Sequence, residues 1–157
     1  MKKQKGFSLI ELLIVVAIIL IIAAIAIPNL LKSKMAANES SAVGSLRTVN
    51  TGEVTYAASC PNVGYSATLV ELNTGAICAG GTGIIDNVLA TGTKSGYTFT
   101  YAPGAAAANG IVSTYTNIAV PLNIGVTGQR GFFTDQSGVI RYSLSGAAPT
   151  VASSALQ

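Results

Sequence analysis

Few residues of this chain could do chemistry. Its 157 residues include no His and six Asp or Glu, which excludes a Ser-His-Asp relay and a His-ligated metal site. Asp86, Asn87 and Asp135 offer oxygens for Ca²⁺, but no dense acidic loop surrounds them, and a turn role explains Asp135 better. We therefore expect no enzymatic activity, no bound metal and no cofactor.

Glu11 is the acid in the most unusual setting, because it lies inside an apolar segment. Residues 7–27 are apolar or small except for Ser8 and Glu11, and residues 12–27 are apolar without interruption. As a helix, this segment would span about 31 Å, which is the thickness of bilayer hydrocarbon. A carboxylate at the edge of such a segment favours a cationic partner.

The net charge of +3 comes from the first five residues, Lys2, Lys3 and Lys5, since six cations balance six acids from Gly6 onward. Positive charge directly before an apolar span predicts a cytoplasmic N-terminus, with the following 130 or so residues on the other side of the membrane. The remaining cations are scattered, so no specific nucleic-acid partner is predicted.

Residues 5–13, KGFSLIELL, preceded by a short basic leader, resemble the class III signal of type IV pilins and pseudopilins. The resemblance implies that a prepilin peptidase cleaves between Gly6 and Phe7 and N-methylates Phe7. It also implies that Pro28, at the twenty-second mature position, kinks or loosens the helix.

After such cleavage, Glu11 would lie one helical turn from the new α-amino group. It could pair with the amine of its own chain or with that of a neighbouring subunit, where the pair would set the register of assembly. An alternative is a helix N-terminal acid favoured by the helix dipole and without a partner. The whole segment could also be a plain signal anchor.

The residues after Pro28 predict that the helix continues to about Ala58, giving one helix of about fifty residues. Its second half is amphipathic, with a single apolar stripe and with polar residues, Glu39 among them, largely elsewhere. The stripe consists of Leu31, Met35, Ala42, Leu46 and Val49.

From Cys60 onward the composition predicts strands and loops. Cys60 and Cys78 are expected to form a disulfide, because their segment is placed outside the cytoplasm. Residues 97–101 and 111–122 read as strands, and residues 130–142 read as a hairpin whose turn is Asp135-Gln136-Ser137-Gly138. An antiparallel sheet of about four strands follows.

These elements predict an α+β fold of the "ladle" type that the resemblance implies, with a long N-terminal helix packed on a small antiparallel sheet. The expected organisation is a cleaved leader (1–6), a transmembrane and filament-core half-helix (7–28), an amphipathic half-helix (29–58), a disulfide-pinned connecting loop (59–95) and a sheet head with its tail (96–157).

By resemblance, the function expected is that of a type IV pilus subunit, placed first in the bacterial inner membrane and then in an extracellular filament. The implied partners are copies of itself in a helical homopolymer, the prepilin peptidase, the pilus assembly platform with its ATPase motor, and the inner membrane. The alternatives are a major pseudopilin of a type II secretion system and a minor-pilin binding module.

Overall fold

The computed structural model describes residues 7–75 and 83–156. They fall into two compact units, one ending at Lys34 and the other beginning at Met35. A single helix, α1 (Leu9–Ser59), belongs to both. The second unit adds α2 (Leu69–Thr74), α3 (Asn87–Ala90) and six strands: β1 (Thr93–Lys94), β2 (Tyr97–Pro103), β3 (Tyr115–Pro121), β4 (Gly131–Asp135), β5 (Arg141–Ser143) and β6 (Ser154–Ala155).

In the first unit, the large apolar side chains of α1 are exposed. The large apolar residues from Phe7 to Leu31 are 45–85% exposed. This stretch makes α1 long and apolar enough to cross a membrane, and it is the one such helix among the described residues. The predicted apolar segment is therefore a helix whose large side chains are left exposed by the part of the chain that the structure describes.

In the second unit, one face of α1 is buried against the rest of the chain. Ala42, Leu46 and Val49 are buried as predicted, and the face continues through Gly52 and Tyr56. Leu31, at the N-terminal end of the predicted stripe, belongs to the first unit and is 50% exposed.

A correction concerns charge on that face. Glu39, expected away from the apolar stripe, is buried, and so is Glu53. Both carboxylates accept hydrogen bonds from loops that pack on the helix, which is what makes their burial tolerable.

The sheet is an antiparallel meander in which each strand pairs with the next along the chain, in the order β1-β2-β3-β4-β5-β6. The four predicted strands are β2 to β5. The two additional strands, β1 and β6, have two residues each, which is too short for a visible alternation in sequence. β3 also starts later than predicted, at Tyr115, because Val112 instead forms isolated bridges to Gly64 and Ala106.

The predicted hairpin is confirmed. Phe132 pairs with Tyr142 across β4 and β5. The turn is closed by a hydrogen bond from the Gly138 N–H to the Asp135 carbonyl (2.9 Å), and Gly138 has a φ of 72°, a value that favours glycine.

The segment expected to be only loop and strand contains two short helices. The Thr68 side chain accepts from the Glu71 N–H at the start of α2, and the Asp86 side chain accepts from the Leu89 N–H at the start of α3. Helices of six and four residues are too short to show a periodic pattern of apolar residues. Their capping residues, Thr68 and Asp86, were the sequence features that could indicate them.

The core lies between one face of the sheet and the buried face of α1. Tyr97 and Phe99 of β2 are buried in it. They join Phe132 of β4 and Leu46 and Val49 of α1 in one hydrophobic cluster, to which α2 contributes Leu72 and α3 Leu89.

Candidate functional site

The start of α1 places Glu11 against its own backbone. The Ser8 N–H donates to Glu11 Oε2 (2.9 Å), and the Leu12 N–H donates to the Ser8 carbonyl (3.2 Å). This is one half of a capping box, in which a carboxylate at the third helical position satisfies a backbone donor at the N-terminus. The negative charge also lies at the favourable end of the helix dipole.

The remaining surface of this segment is uncharged and largely apolar. Residues 12–31 contain no charged side chain, and as a helix they span about 30 Å. Glu11 bounds the uncharged stretch on one side, and Lys32 and Lys34 bound it on the other. Chemically, this arrangement can bury a helix in an apolar medium while keeping its charges at the two ends.

The N-terminus matches the family model for the prokaryotic N-terminal methylation motif over residues 1–27. The N-terminal region of this chain carries the methylation motif. Glu11 and the uncharged stretch up to Ile27 therefore lie within the methylation motif.

Two curated relatives are similar to part of this chain. The chain is 60% identical over 40 residues to the major component of the type IV wide pilus of Thermus thermophilus, a match that covers 26% of this chain and 30% of the relative. It is 46% identical over 54 residues to the type IV major pilin of Myxococcus xanthus, covering 34% of this chain and 24% of the relative. The chain thus spans less than a third of the length of each relative, and no solved structure matches it significantly.

The predicted processing site is only partly described. Phe7 is 85% exposed just before α1, whereas Gly6 lies outside the described residues. Cleavage and methylation at these positions remain predictions, as does the role of Glu11 in subunit register.

Pro28 lies inside α1, which remains helical on both sides of it. A proline has no N–H for the carbonyl four residues earlier, here that of Ala24. The Asn29 side chain donates to the next carbonyl, that of Ile25 (3.0 Å), and so adds a hydrogen bond beside the missing one. Loosening of the helix at Pro28 remains a prediction.

Of the predicted disulfide, the structure describes one end. Cys60 is buried directly after α1, and Cys78 lies outside the described residues. The pairing of Cys60 with Cys78 stays a prediction.

Two buried carboxylates that sequence reasoning missed attach loops of the head to α1. Glu39 Oε1 accepts from the N–H groups of Gln129 (2.9 Å) and Arg130 (3.1 Å), and its Oε2 accepts from Arg130 Nε (2.7 Å). Burial raises the pKa of Glu39, but these hydrogen bonds and the charge of Arg130 outweigh it and hold the pKa below its ordinary value.

Glu53 has a different environment. Its Oε1 accepts from the Ser66 hydroxyl (2.6 Å) and its Oε2 from the Ser66 N–H (3.0 Å), while Tyr101 donates to the Ser66 carbonyl (2.9 Å). Burial raises the pKa of Glu53 above its ordinary value, despite the bonds from Ser66, and the nearby charge of Glu71 raises it further.

A signal for both acids was present in the sequence. Glu39 and Glu53 lie seven residues before and after Leu46, a spacing that places all three on the same side of a helix. Two acids in register with a core leucine therefore indicate buried carboxylates with partners elsewhere in the fold.

The two carboxylates considered for Ca²⁺, those of Asp86 and Asp135, bind other groups of the protein. Asp86 accepts from the Leu89 N–H (2.8 Å) and forms an ion pair with Lys94 (2.8 Å). Asp135 accepts from the N–H of Ser137 (2.9 Å) and from its hydroxyl. Residues 7–75 and 83–156 contain no cluster of three or more His, Cys, Asp or Glu side chains.

Proposed function

We propose that this chain is the structural subunit of a type IV pilus. A prepilin peptidase removes residues 1–6 by cutting between Gly6 and Phe7, and Phe7 is N-methylated. Residues 7–28 hold the subunit in the bacterial inner membrane, with its N-terminus cytoplasmic and its head periplasmic. The assembly platform and its ATPase motor then transfer the subunit into an extracellular filament.

The observation that carries the proposal is the exposed apolar segment that begins within the methylation motif. Its large side chains are 45–85% exposed from Phe7 to Leu31, so no part of the described chain covers them. Such a surface is stable in lipid, or in a bundle of identical helices. The similarity of this chain to major pilins supports transfer of the segment from lipid into a bundle of identical helices.

Transfer from lipid to a helix bundle gains little from the hydrophobic effect, because lipid is as apolar as the bundle. Packing and charge pairing must therefore favour the assembled state. We infer that Glu11 exchanges its bond to the Ser8 N–H for the α-amino group of a neighbouring subunit. A contact of this kind, made head to tail and not closing into a ring, extends a filament indefinitely.

The remaining organisation is proposed on the same basis. Residues 29–58 form the half-helix on which the head packs, a Cys60–Cys78 disulfide pins the connecting segment 59–95, and residues 96–157 form the sheet and tail. Pro28 gives the filament-core helix a point at which it can extend.

The test is to shear cells of the native host, image the released material and measure the mass of the N-terminal peptide of this chain. We expect abundant fibres that contain the chain, with residues 1–6 removed and a methyl group on Phe7. A chain that still carries residues 1–6 would overturn the proposal.

Two further outcomes would assign the chain to the alternatives. A processed chain that stays with the cells and yields no sheared fibres would indicate a pseudopilin of a secretion system. A processed chain present in fibres as a rare component would indicate a minor pilin.

A further inference from the structure

Exposed apolar side chains gather at one end of the sheet. The loop between β3 and β4 presents Leu122, Ile124 and Val126, each more than half exposed, and Leu144 directly after β5 is 76% exposed. The Ile124 side chain lies against Gly146, where an added Cβ would be 2.8 Å from its Cγ1. The two loops are therefore in contact, and we call Leu122, Ile124, Val126 and Leu144 the loop patch.

The opposite end of the sheet differs. It is formed by the β2–β3 loop, residues 104–114, and by the β4–β5 turn, residues 136–140. Among these residues, the one exposed large apolar side chain is Val139, at 38%. Exposed large apolar side chains are therefore concentrated at the end of the sheet that carries the loop patch.

Hydrogen bonds tie the patch end of the sheet to the first turns of α1 in the same unit. Asn38 Nδ2 donates to the Thr127 carbonyl in the β3–β4 loop (2.9 Å). Ser41 Oγ donates to Ser95 Oγ in the turn between β1 and β2 (2.9 Å). The loop patch thus lies at the end of the head where the chain enters from its N-terminal segment.

Chain length limits how far this end can be from the apolar segment. Leu31, the last residue of the uncharged stretch, precedes Asn38 by seven residues, which span at most about 25 Å even when fully extended. If residues 12–31 fill the hydrocarbon layer, Leu31 lies at its boundary, and Asn38 lies within reach of the headgroup layer. Lys32 and Lys34, both exposed, lie in this connection.

We propose that the loop patch contacts the bilayer surface in the subunit before assembly, with its four apolar side chains in the interfacial layer. The inference rests on the membrane insertion of residues 7–28 proposed above. Exposed apolar side chains bind a lipid interface by entering the headgroup boundary, and exposed cations of the same chain, here Lys32 and Lys34, meet anionic lipid. The contact fixes the head on the membrane, and assembly must release it.

The absence of tryptophan from this chain makes the contact measurable. The full chain carrying Ile124→Trp is reconstituted at low density in phosphatidylcholine vesicles that contain phosphatidylglycerol and lipids brominated either near the headgroup or deep in the acyl chain. Val70→Trp, at an α2 position that is 54% exposed, is the matched control. Leu20→Trp, inside the apolar segment, reports membrane insertion.

We expect Ile124→Trp to lose fluorescence with the shallow bromines and much less with the deep ones, and to lose less when phosphatidylglycerol is left out. Val70→Trp should be quenched by neither. Quenching of Leu20→Trp by the deep bromines, together with no quenching of Ile124→Trp, would overturn this inference and leave the proposed insertion intact. No quenching of Leu20→Trp would overturn the insertion itself.

A second copy of the chain is the competing occupant of the loop patch. It would be indicated if the emission of Ile124→Trp shifts with subunit density in the vesicles and is insensitive to shallow bromines, an outcome that also overturns the lipid contact. The four patch side chains are exposed, so substitution there should leave the head folded, and the near-ultraviolet circular dichroism of the tyrosines checks this directly.

Discussion

Glu39 and Arg130 form an ion pair, 2.7 Å from Oε2 to Nε, across 91 positions of the chain. The pair joins α1, near the start of the second unit, to the residue directly before β4. Because the same carboxylate accepts two backbone N–H groups, Glu39 holds the β3–β4 loop as well as the arginine. The helix and the sheet are thus joined by polar contacts at this end and by the apolar core between them.

Replacing Glu39 should destabilise the head. Glu39→Ala leaves two backbone donors and a guanidinium without their acceptor, and hydrogen bonds to charged groups contribute about 1.5–3 kcal/mol. We expect a loss of that order in the free energy of unfolding, measured in detergent micelles by near-ultraviolet circular dichroism. Ser40→Ala, at the exposed neighbouring position, is the control and should change stability little.

The same pair predicts loss of stability in acid. The pKa of Glu39 is lower in the folded chain than its ordinary value of 4.5, so its contribution is present above pH 4.5 and disappears as the pH falls through the folded pKa. The difference in stability between the wild type and Glu39→Gln should therefore shrink below pH 4.5. A difference that stays constant from neutral pH into this range would contradict the proposed pairing.

Glu53 predicts the opposite pH dependence. Its pKa is higher in the folded chain than 4.5, so the fold favours its protonated form, and this contribution is present below pH 4.5 and lost as the pH rises through the folded pKa. Relative to Glu53→Gln, the wild type should lose stability as the pH rises above 4.5. Unfolding titrations over the same pH range give the stability of the wild type relative to each glutamine variant. This relative stability should rise with pH for Glu39→Gln and fall with pH for Glu53→Gln, and slopes of the same sign would refute the assignment.

Two glycines on α1 should respond differently to alanine. Nothing lies within 4 Å of a Cβ added at Gly44, so Gly44→Ala should stabilise by up to about 1 kcal/mol through helix propensity. A Cβ added at Gly52 would lie 3.3 Å from Ile84 Cγ2, so crowding should remove much of that gain. Thermal unfolding of the two variants side by side tests this, and equal gains would show that the residues around Gly52 yield freely.

The predicted disulfide should contribute to stability. Closing the chain between Cys60 and Cys78 would contribute about 3 kcal/mol in the chain-entropy account. Reduction, or the double variant Cys60→Ala/Cys78→Ala, should lower the unfolding temperature of the head. Peptide mass after alkylation without reduction gives a direct reading, because alkylated cysteines in the native protein would rule out the bridge.

Charge at Glu11 should matter for assembly and not for insertion. Glu11→Gln keeps an oxygen that can accept from the Ser8 N–H, but it cannot form an ion pair with an amine. We expect Glu11→Gln to be processed and held in the membrane but to yield few sheared fibres. Ser8→Ala keeps the backbone N–H and should assemble normally. Normal fibre yield from Glu11→Gln would leave Glu11 with a capping role alone.

Local patterns in the sequence predicted the elements whose signals are local. The apolar segment 7–27 indicated a membrane-length helix, and alternation and turn residues located β2 and the hairpin of β4 and β5. The motif around Gly6 and Phe7 pointed to the family through residue types alone. Period and composition suffice in these cases because a helix, a strand or a tight turn satisfies its own backbone within a few residues.

Tertiary structure decided how those elements are joined. The spacing from Leu46 placed Glu39 and Glu53 on the buried side of the helix, but the donors to them, Gln129 and Arg130 in one case and Ser66 in the other, are supplied by the fold. The pairing of the short strands β1 and β6 likewise depends on neighbours already in place. A buried charge and a two-residue strand are stable only where a distant part of the chain supplies the hydrogen bonds, and the fold alone brings those partners together.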